Sequence, residues 1–263
     1  MAGLGIVTGG AQGIGLAIVK ALLEQGVVDR VAVFDLQPEA LESAPGGVPA
    51  GVTVHRCDVT DEASVAAAYA EVGEVPTVLV NNAGGGDVDA IQRRPEAEAE
   101  AGDGADTRQP SSFDPFAPVD DFRRMVDLNF TSAHVVTRVI GPDLQVGAAI
   151  CNTASIAGQG PSGLISYGAA KAALIHWTGS MAKALAPRQI RVNAVAPGII
   201  RTRLWEALQP DEVAYDAMIK ETMPMGEDQK PEDIANAVAF LCSVNAGQVT
   251  GEVIRIDGGL TLR

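Results

Sequence analysis

Basic residues are scarce in this 263-residue chain: 19 Lys and Arg stand against 33 Asp and Glu, a formal charge of −14. A nucleic-acid binder needs a cationic face to displace counterions from phosphates, so no nucleic-acid partner is expected. An anionic membrane surface would repel the chain as well. No apolar run reaches the roughly 18 residues that span a bilayer, and the N-terminus has no charged stretch leading into an apolar one; the expectation is a soluble cytoplasmic protein. Cysteine is limited to Cys57, Cys151 and Cys242, an odd number set far apart in apolar or strand-like surroundings. They read as small buried hydrophobes rather than a disulfide framework. His55, His134 and His176 have no metal-ligand spacing, and neither His-x-x-Glu-His nor Cys-x-x-Cys occurs, so no metal is expected.

What the chain does have is a core-forming composition, 47% hydrophobic and 20% charged, and 29 glycines without a Gly-X-Y period, which fits a single α/β unit with many tight turns. Short apolar runs alternate with helical ones. Gly5–Thr8, Val31–Asp35, Val52–Cys57 and Thr77–Asn81 read as strands, with helical periodicity over Ile14–Gly26 and Glu62–Val72. Ala148–Asn152, Arg191–Ala196 and Glu252–Ile256 bring the strands to seven. Strands alternating with helices of ten or more residues predict right-handed crossovers and a mostly parallel, doubly wound sheet covered by helices on both faces, one domain over 1–263.

The alternation breaks over residues 85–121, which hold ten Asp or Glu and three Arg, a net of −7 and half the charge of the chain. Within it, residues 95–106 are low-complexity and have almost no large apolar residue, which predicts a mobile surface loop; a regulatory or partner-binding arm is the alternative.

Between the first strand and the first helix lies Thr8-Gly9-Gly10-Ala11-Gln12-Gly13-Ile14-Gly15. Glycines let the backbone approach a pyrophosphate closely, and a helix N-terminus favours its charge. The spacing is not that of a triphosphate loop, which needs Lys-Ser or Lys-Thr where this chain has Leu16-Ala17. Asp35 ends the second strand, where a carboxylate can accept both ribose hydroxyls of an adenosine and repel a 2′-phosphate. No Arg or Lys lies in the turn or directly after Asp35, so NAD is favoured over NADP.

Farther along, Tyr167 and Lys171 stand four apart and Ser155 lies twelve residues before the tyrosine. On a helix, side chains at i and i+4 share a face, so the ammonium is expected to favour the ionised phenol and draw its pKa down from about 10. A phenol so tuned exchanges protons near neutral pH. Taken alone, such a pair is more often a solvated surface pair, and the glycine turn is what tips the reading.

Together these motifs make the chain resemble the short-chain dehydrogenase/reductase family over residues 4–259, with 85 to about 118 standing outside the match. The family pattern Thr-Gly-x-x-x-Gly-x-Gly is met by Thr8–Gly15, Asn-Asn-Ala-Gly by Asn81–Gly84, and Tyr-x-x-x-Lys by Tyr167–Lys171. The resemblance implies a Rossmann fold and hydride transfer between NAD(H) and a small-molecule secondary alcohol or ketone. It makes Tyr167 the general acid/base, Ser155 the partner of the substrate oxygen, Lys171 the ligand of the nicotinamide ribose, and Asn129 the holder of a water that links Lys171 to solvent. It assigns the dinucleotide to Gly9, Gln12, Gly13 and Ile14 at the phosphates, Asp35 and Leu36 at the adenosine ribose, and Asp58 and Val59 at the adenine. Asn82, Ala83 and Gly84 line its middle, and Pro197, Gly198, Ile200 and Thr202 hold the nicotinamide beside Tyr167 and Lys171. It also implies that 203–225 covers the substrate, although its Met and aromatic residues equally fit plain core, and that Gly158–Gly163 shapes the opposite wall. The helices around Asn129 and after Tyr167 are apolar on more than one face, which with the resemblance predicts a homotetramer, a dimer being the alternative.

Overall fold

The computed structural model describes residues 3–44, 46–86, 113–201 and 211–262. Most of the acidic stretch (87–112), Thr202 and the first part of the substrate-covering segment (203–210) lie outside the described residues. Seven strands form one sheet: β1 (Leu4–Thr8), β2 (Arg30–Asp35), β3 (Val52–Arg56), β4 (Val78–Asn81), β5 (Ala149–Thr153), β6 (Arg191–Pro197) and β7 (Val253–Ile256). Their spatial order is β3-β2-β1-β4-β5-β6-β7, and every neighbouring pair is parallel. The order reverses between β1 and β4, so the chain is wound outward from the sheet centre in both directions. The crevice at that reversal, at the C-terminal strand ends, is where such sheets bind ligands.

The helices are α1 (Gly13–Glu24), α2 (Glu39–Glu42), α3 (Glu62–Val72), α4 (Val119–Val126), α5 (Ser132–Ile140), α6 (Ile165–Leu185), α7 (Glu212–Thr222) and α8 (Pro231–Cys242). Their ends follow from local chemistry. Asp61 caps α3 by accepting from the Ala63 N–H, and Gly73 stops it in the left-handed conformation at φ 64°. The α4 helix takes in the last three residues of the acidic stretch: Asp120 and Asp121 occupy its first turn and pair with Arg123 and Arg124. Carboxylates there suit the positive end of the helix dipole, which a count of charges along the chain does not reveal.

Alternation along the strands divides the core into two layers. Val7, Val33, Val80 and Cys151 face one way, against Ile18 and Leu22 of α1 and Ile234 and Val238 of α8. Ile6, Phe34, Leu79 and Ile150 face the other, against Val65 of α3 and Val136 and Ile140 of α5. All three cysteines are free and buried.

At the sheet centre this apolar packing gives way to a polar ladder. Asn81 Nδ2 donates to Asn152 Oδ1 (2.9 Å) and to Thr137 Oγ1 (3.1 Å). Asn152 Nδ2 donates to Thr178 Oγ1 (2.9 Å), whose hydroxyl donates to the Leu174 carbonyl. The ladder ties β4 and β5 to α5 and α6, the helix that carries Tyr167. Replacing Asn152, which is fully buried, by the similarly shaped Leu leaves an Asn81 N–H unpaired in the core. Asn152→Leu is expected to destabilise the protein by about 1–3 kcal/mol, read as a lower urea midpoint at unchanged slope. An unchanged midpoint would show that the ladder contributes nothing.

Candidate active site

The site begins where β1 stops. Thr8 Oγ1 accepts from the N–H groups of Asn82 and Ala83 (3.0 Å each), locking the end of β1 to that of β4. The chain then turns through Gly9 at φ 63° and Gly13 at φ 54°. At Gly15 a Cβ would stand 1.9 Å from the Gly9 carbonyl oxygen and 2.7 Å from Asn82 Nδ2, so no side chain fits. Gln12, the N-cap of α1, offers no side-chain cap, and the first turn of α1 carries no acid. Its N–H groups are therefore left to an external anion. A turn that excludes side chains and presents uncapped donors fits a pyrophosphate, and Gly9, Gln12, Gly13 and Ile14 all belong to it.

Asp35, at the end of the adjacent β2, folds its carboxylate back onto this turn. Oδ2 accepts from the Ala11 N–H (3.0 Å) and Oδ1 from the Gln37 N–H (2.9 Å). Leu36 beside it is exposed. The register of β2 and β3 sets Arg56 opposite Asp35; its guanidinium donates to the Leu36 carbonyl (2.6 Å) and pairs with Glu39. Sequence reasoning found no cation near Asp35 because Arg56 lies 21 positions away and only strand pairing brings it there. Asp58 is exposed, its Oδ1 accepting from the backbone and hydroxyl of Thr60, and Val59 is buried in the core.

Asn82 spans the crevice. Its Nδ2 donates to the carbonyls of Thr8 (3.2 Å) and Gly9 (3.1 Å), and its Oδ1 accepts from Thr153 Oγ1 (3.2 Å). Ala83 closes against Gly9, where an added Cβ would lie 3.0 Å from the Ala83 Cα, and an added Cβ at Gly84 would lie 2.8 Å from Asn129 Oδ1 and 3.2 Å from Lys171 Nζ. Asn129 sits in a π-helical turn, Asp127–Thr131, between α4 and α5. Such a turn widens the helix locally and frequently marks a functional position. The Asn129 amide accepts from the Gly85 N–H (2.9 Å) and donates to the Gly85 carbonyl (2.9 Å) and the Met125 carbonyl (3.1 Å). Its side chain thus clamps the loop after β4, a backbone role that the water-holding assignment did not anticipate.

Ser155 follows β5 and Tyr167 and Lys171 lie on α6. Lys171 is buried, and its Nζ donates to the Thr153 carbonyl (2.8 Å) while standing 5.6 Å from the centre of the Tyr167 ring. Burial pulls the ammonium down to about 8. Burial also pushes the Tyr167 phenol above its ordinary value, and the hydrogen bond with the Ser155 side chain opposes that shift. Shared helical face therefore does not lower the phenol here: the lysine is spent on a backbone carbonyl and desolvation dominates, while Ser155 supplies the stabilisation expected of Lys171.

At the far end, Pro197 ends β6 and Gly198 follows. The Gly198 N–H donates to the carbonyl of Ile256 (2.8 Å) and to Gln229 Oε1 (2.9 Å), and Ile200 is buried. The Gly158–Gly163 run borders a cavity of about 420 Å³ whose other wall is Ile165, Gly168, Ala169 and Ala172. Among the described residues no group of three His, Cys, Asp or Glu is placed to hold a metal, and no helix is long and apolar enough to cross a membrane.

The chain is similar to known proteins over nearly its whole length. A family model described as Enoyl-(Acyl carrier protein) reductase matches residues 9–102 and 112–261. A 3alpha-hydroxysteroid dehydrogenase of Mediterraneibacter gnavus is 37% identical over 96% of this chain and 94% of its own. A 3-oxoacyl-[acyl-carrier-protein] reductase of Thermotoga maritima is 33% identical over 98% and 97%. Among solved structures, an oxidoreductase of the short chain dehydrogenase/reductase family from Burkholderia thailandensis has 29% identity and a TM-score of 0.81 over 99% of this chain and 93% of its own. An NADPH-bound short chain oxidoreductase from Pseudomonas aeruginosa, with the same identity and TM-score, covers 99% and 97%. With the dinucleotide cradle, the parallel sheet and near-complete matches all in agreement, the chain belongs to the short-chain dehydrogenase/reductase family and is an oxidoreductase.

Proposed function

We propose that this protein is an NAD-dependent dehydrogenase of a secondary alcohol, or a reductase of the corresponding ketone, with Tyr167 as its general acid/base. The observation that carries the reading is Lys171, buried on α6 with its Nζ on the Thr153 carbonyl and 5.6 Å from the centre of the Tyr167 ring. A bound nicotinamide supplies the hydride chemistry; the chain supplies orientation and proton management. Ser155 shares the substrate oxygen with Tyr167 and stabilises the charge that develops there. Lys171, held by the Thr153 carbonyl, faces the ribose. By the family resemblance, Pro197, Gly198, Ile200 and Thr202 would hold the ring and leave one face of it to the substrate. An oxidised nicotinamide, if bound near the phenol, would by its positive charge oppose the upward push of burial on Tyr167. A cytoplasmic location belongs to the same proposal, and three free cysteines suit it.

The relatives' names suggest a hydroxyl or ketone on a largely apolar carbon frame, 3-oxoacyl or hydroxysteroid. NAD is preferred because the Asp35 carboxylate is fixed against the glycine turn and Arg56 is already paired with Glu39. A second reading, NADPH, is favoured by the nearness of that same arginine and by relatives solved with NADP or NADPH. The proposed homotetramer rests on α6, where Ala169, Ala172, His176 and Gly179 form an exposed stripe of mostly small side chains along one face.

A screen of secondary alcohols with NAD⁺, following NADH absorbance, should reveal a substrate, and Tyr167→Phe should keep dinucleotide binding while losing about 10²-fold or more in turnover. Full activity in the phenylalanine variant would remove the proton-transfer role. Asp35→Ala should raise the KM for NAD⁺ about tenfold, the loss of roughly 1.4 kcal/mol, and narrow the preference over NADP⁺; an unmodified protein that prefers NADPH would overturn the NAD assignment. Light scattering should give a tetramer at micromolar concentration and a smaller species for Ala172→Arg. A monomeric unmodified protein would sink the assembly.

A further inference from the structure

The segment Gly198–Ile200 leaves the sheet at β6, where the Gly198 N–H donates to the Ile256 carbonyl of β7 (2.8 Å), and is also bound on its outer side by Gln229. The Gln229 N–H donates to the Ile199 carbonyl (3.3 Å), Ile200 and Gln229 pair as an isolated parallel bridge, and Gln229 Oε1 accepts from the Gly198 N–H (2.9 Å). The contact is close: a Cβ on Gly198 would stand 2.8 Å from that oxygen. Its neighbour Asp228 holds the same strip of chain to α7, accepting from the Tyr215 hydroxyl (3.3 Å) and facing Arg201, whose guanidinium lies 4.3 Å from the centre of the Tyr215 ring.

Gln229 is only 6% exposed, yet among the described residues its Nε2 has no hydrogen-bond partner. The orientation of the amide follows from its surroundings, because an N–H points at Oε1 and only an acceptor can answer it. The unpaired atom is therefore a donor. Buried donors are nearly always satisfied, and one left open beside a ligand segment points to an acceptor that arrives with the ligand.

We propose that Gln229 is a positioning residue for the nicotinamide end of the cofactor, fixing Gly198–Ile200 through its backbone and Oε1 and offering its free Nε2–H to an acceptor on the bound dinucleotide. The proposal rests on the dinucleotide reading above. It assigns to one side chain both the shape of the nicotinamide wall and part of the affinity for the ring.

The test is direct binding, by quenching of protein fluorescence, of NADH and of ADP-ribose, which lacks the nicotinamide. Gln229→Met removes both amide functions; Gln229→Glu keeps an acceptor for Gly198 and removes the donor, so it serves even if the methionine variant folds poorly. Both variants are expected to bind NADH about tenfold more weakly, the scale of one lost hydrogen bond, and ADP-ribose as well as the unmodified protein does. NADH binding unchanged in both variants would overturn the proposal. So would an equal loss of NADH and ADP-ribose, which would mark Gln229 as a purely structural residue. An unmodified protein that binds neither ligand would instead refute the dinucleotide reading on which the proposal stands.

Discussion

The amide of Asn82 joins the parts of the site that sequence scatters. With Nδ2 on the carbonyls of Thr8 and Gly9 and Oδ1 on the Thr153 hydroxyl, it ties the phosphate turn to the end of β5. The carbonyl of that same Thr153 accepts from Lys171. A connected path therefore runs from the glycine turn, through one asparagine and one threonine, to the lysine behind Tyr167. Gly15 packs under the same Gly9 oxygen, where an added Cβ would stand 1.9 Å away. Loss of any one member would leave its partners unpaired, and buried polar networks reward complete pairing and punish partial pairing.

This constraint explains why the crevice lies where the sheet order reverses. Helices leaving β1 and β4 go to opposite faces there, so the strand ends stand open, and the backbone groups they expose are the ones that Asn82, Thr8 and Asn129 organise. Asn129 does for the loop after β4 what Asn82 does for the glycine turn, with a π-helical turn setting its amide at Gly85. The Asn129 amide answers both the N–H and the C=O of Gly85, whereas that of Asn82 holds two carbonyls of the turn with its Nδ2 and the Thr153 hydroxyl with its Oδ1.

Much of this was legible in the chain. Alternating apolar runs announced the seven strands, and the spacing Thr8–Gly15, Ser155 and Tyr167–Lys171 announced the site, because short-range periodicity and turn chemistry are written locally. What escaped notice was tertiary. The partner of Lys171 is a backbone carbonyl 18 residues back, Arg56 reaches Leu36 by strand pairing, and Gln229 meets Gly198 through a bridge between distant loops. Backbone carbonyls leave no mark in a sequence, and a lone glutamine carries no period. The electrostatics were misread for the same reason: distance along a helix fixed which side chains share a face, while burial, which depends on everything packed around them, set the direction in which their pKa values move.

The strand order also bears on how the site comes into being during synthesis. β1 to β4 and the glycine turn, Asp35 and Asn82 all fall within the first 82 residues, and they form one contiguous side of the sheet. A ribosome releases that side complete before β5 exists. The glycine-turn side of the crevice is thus made first, while the Tyr167 side waits for Thr153 to give Asn82 its last partner and Lys171 its anchor, and for α8 to cover α1. Domain-scale parallel sheets fold slowly because their pairings are distant in sequence; here the chain delivers its pairings in two instalments, with the cofactor platform first and the proton-handling residues added onto it.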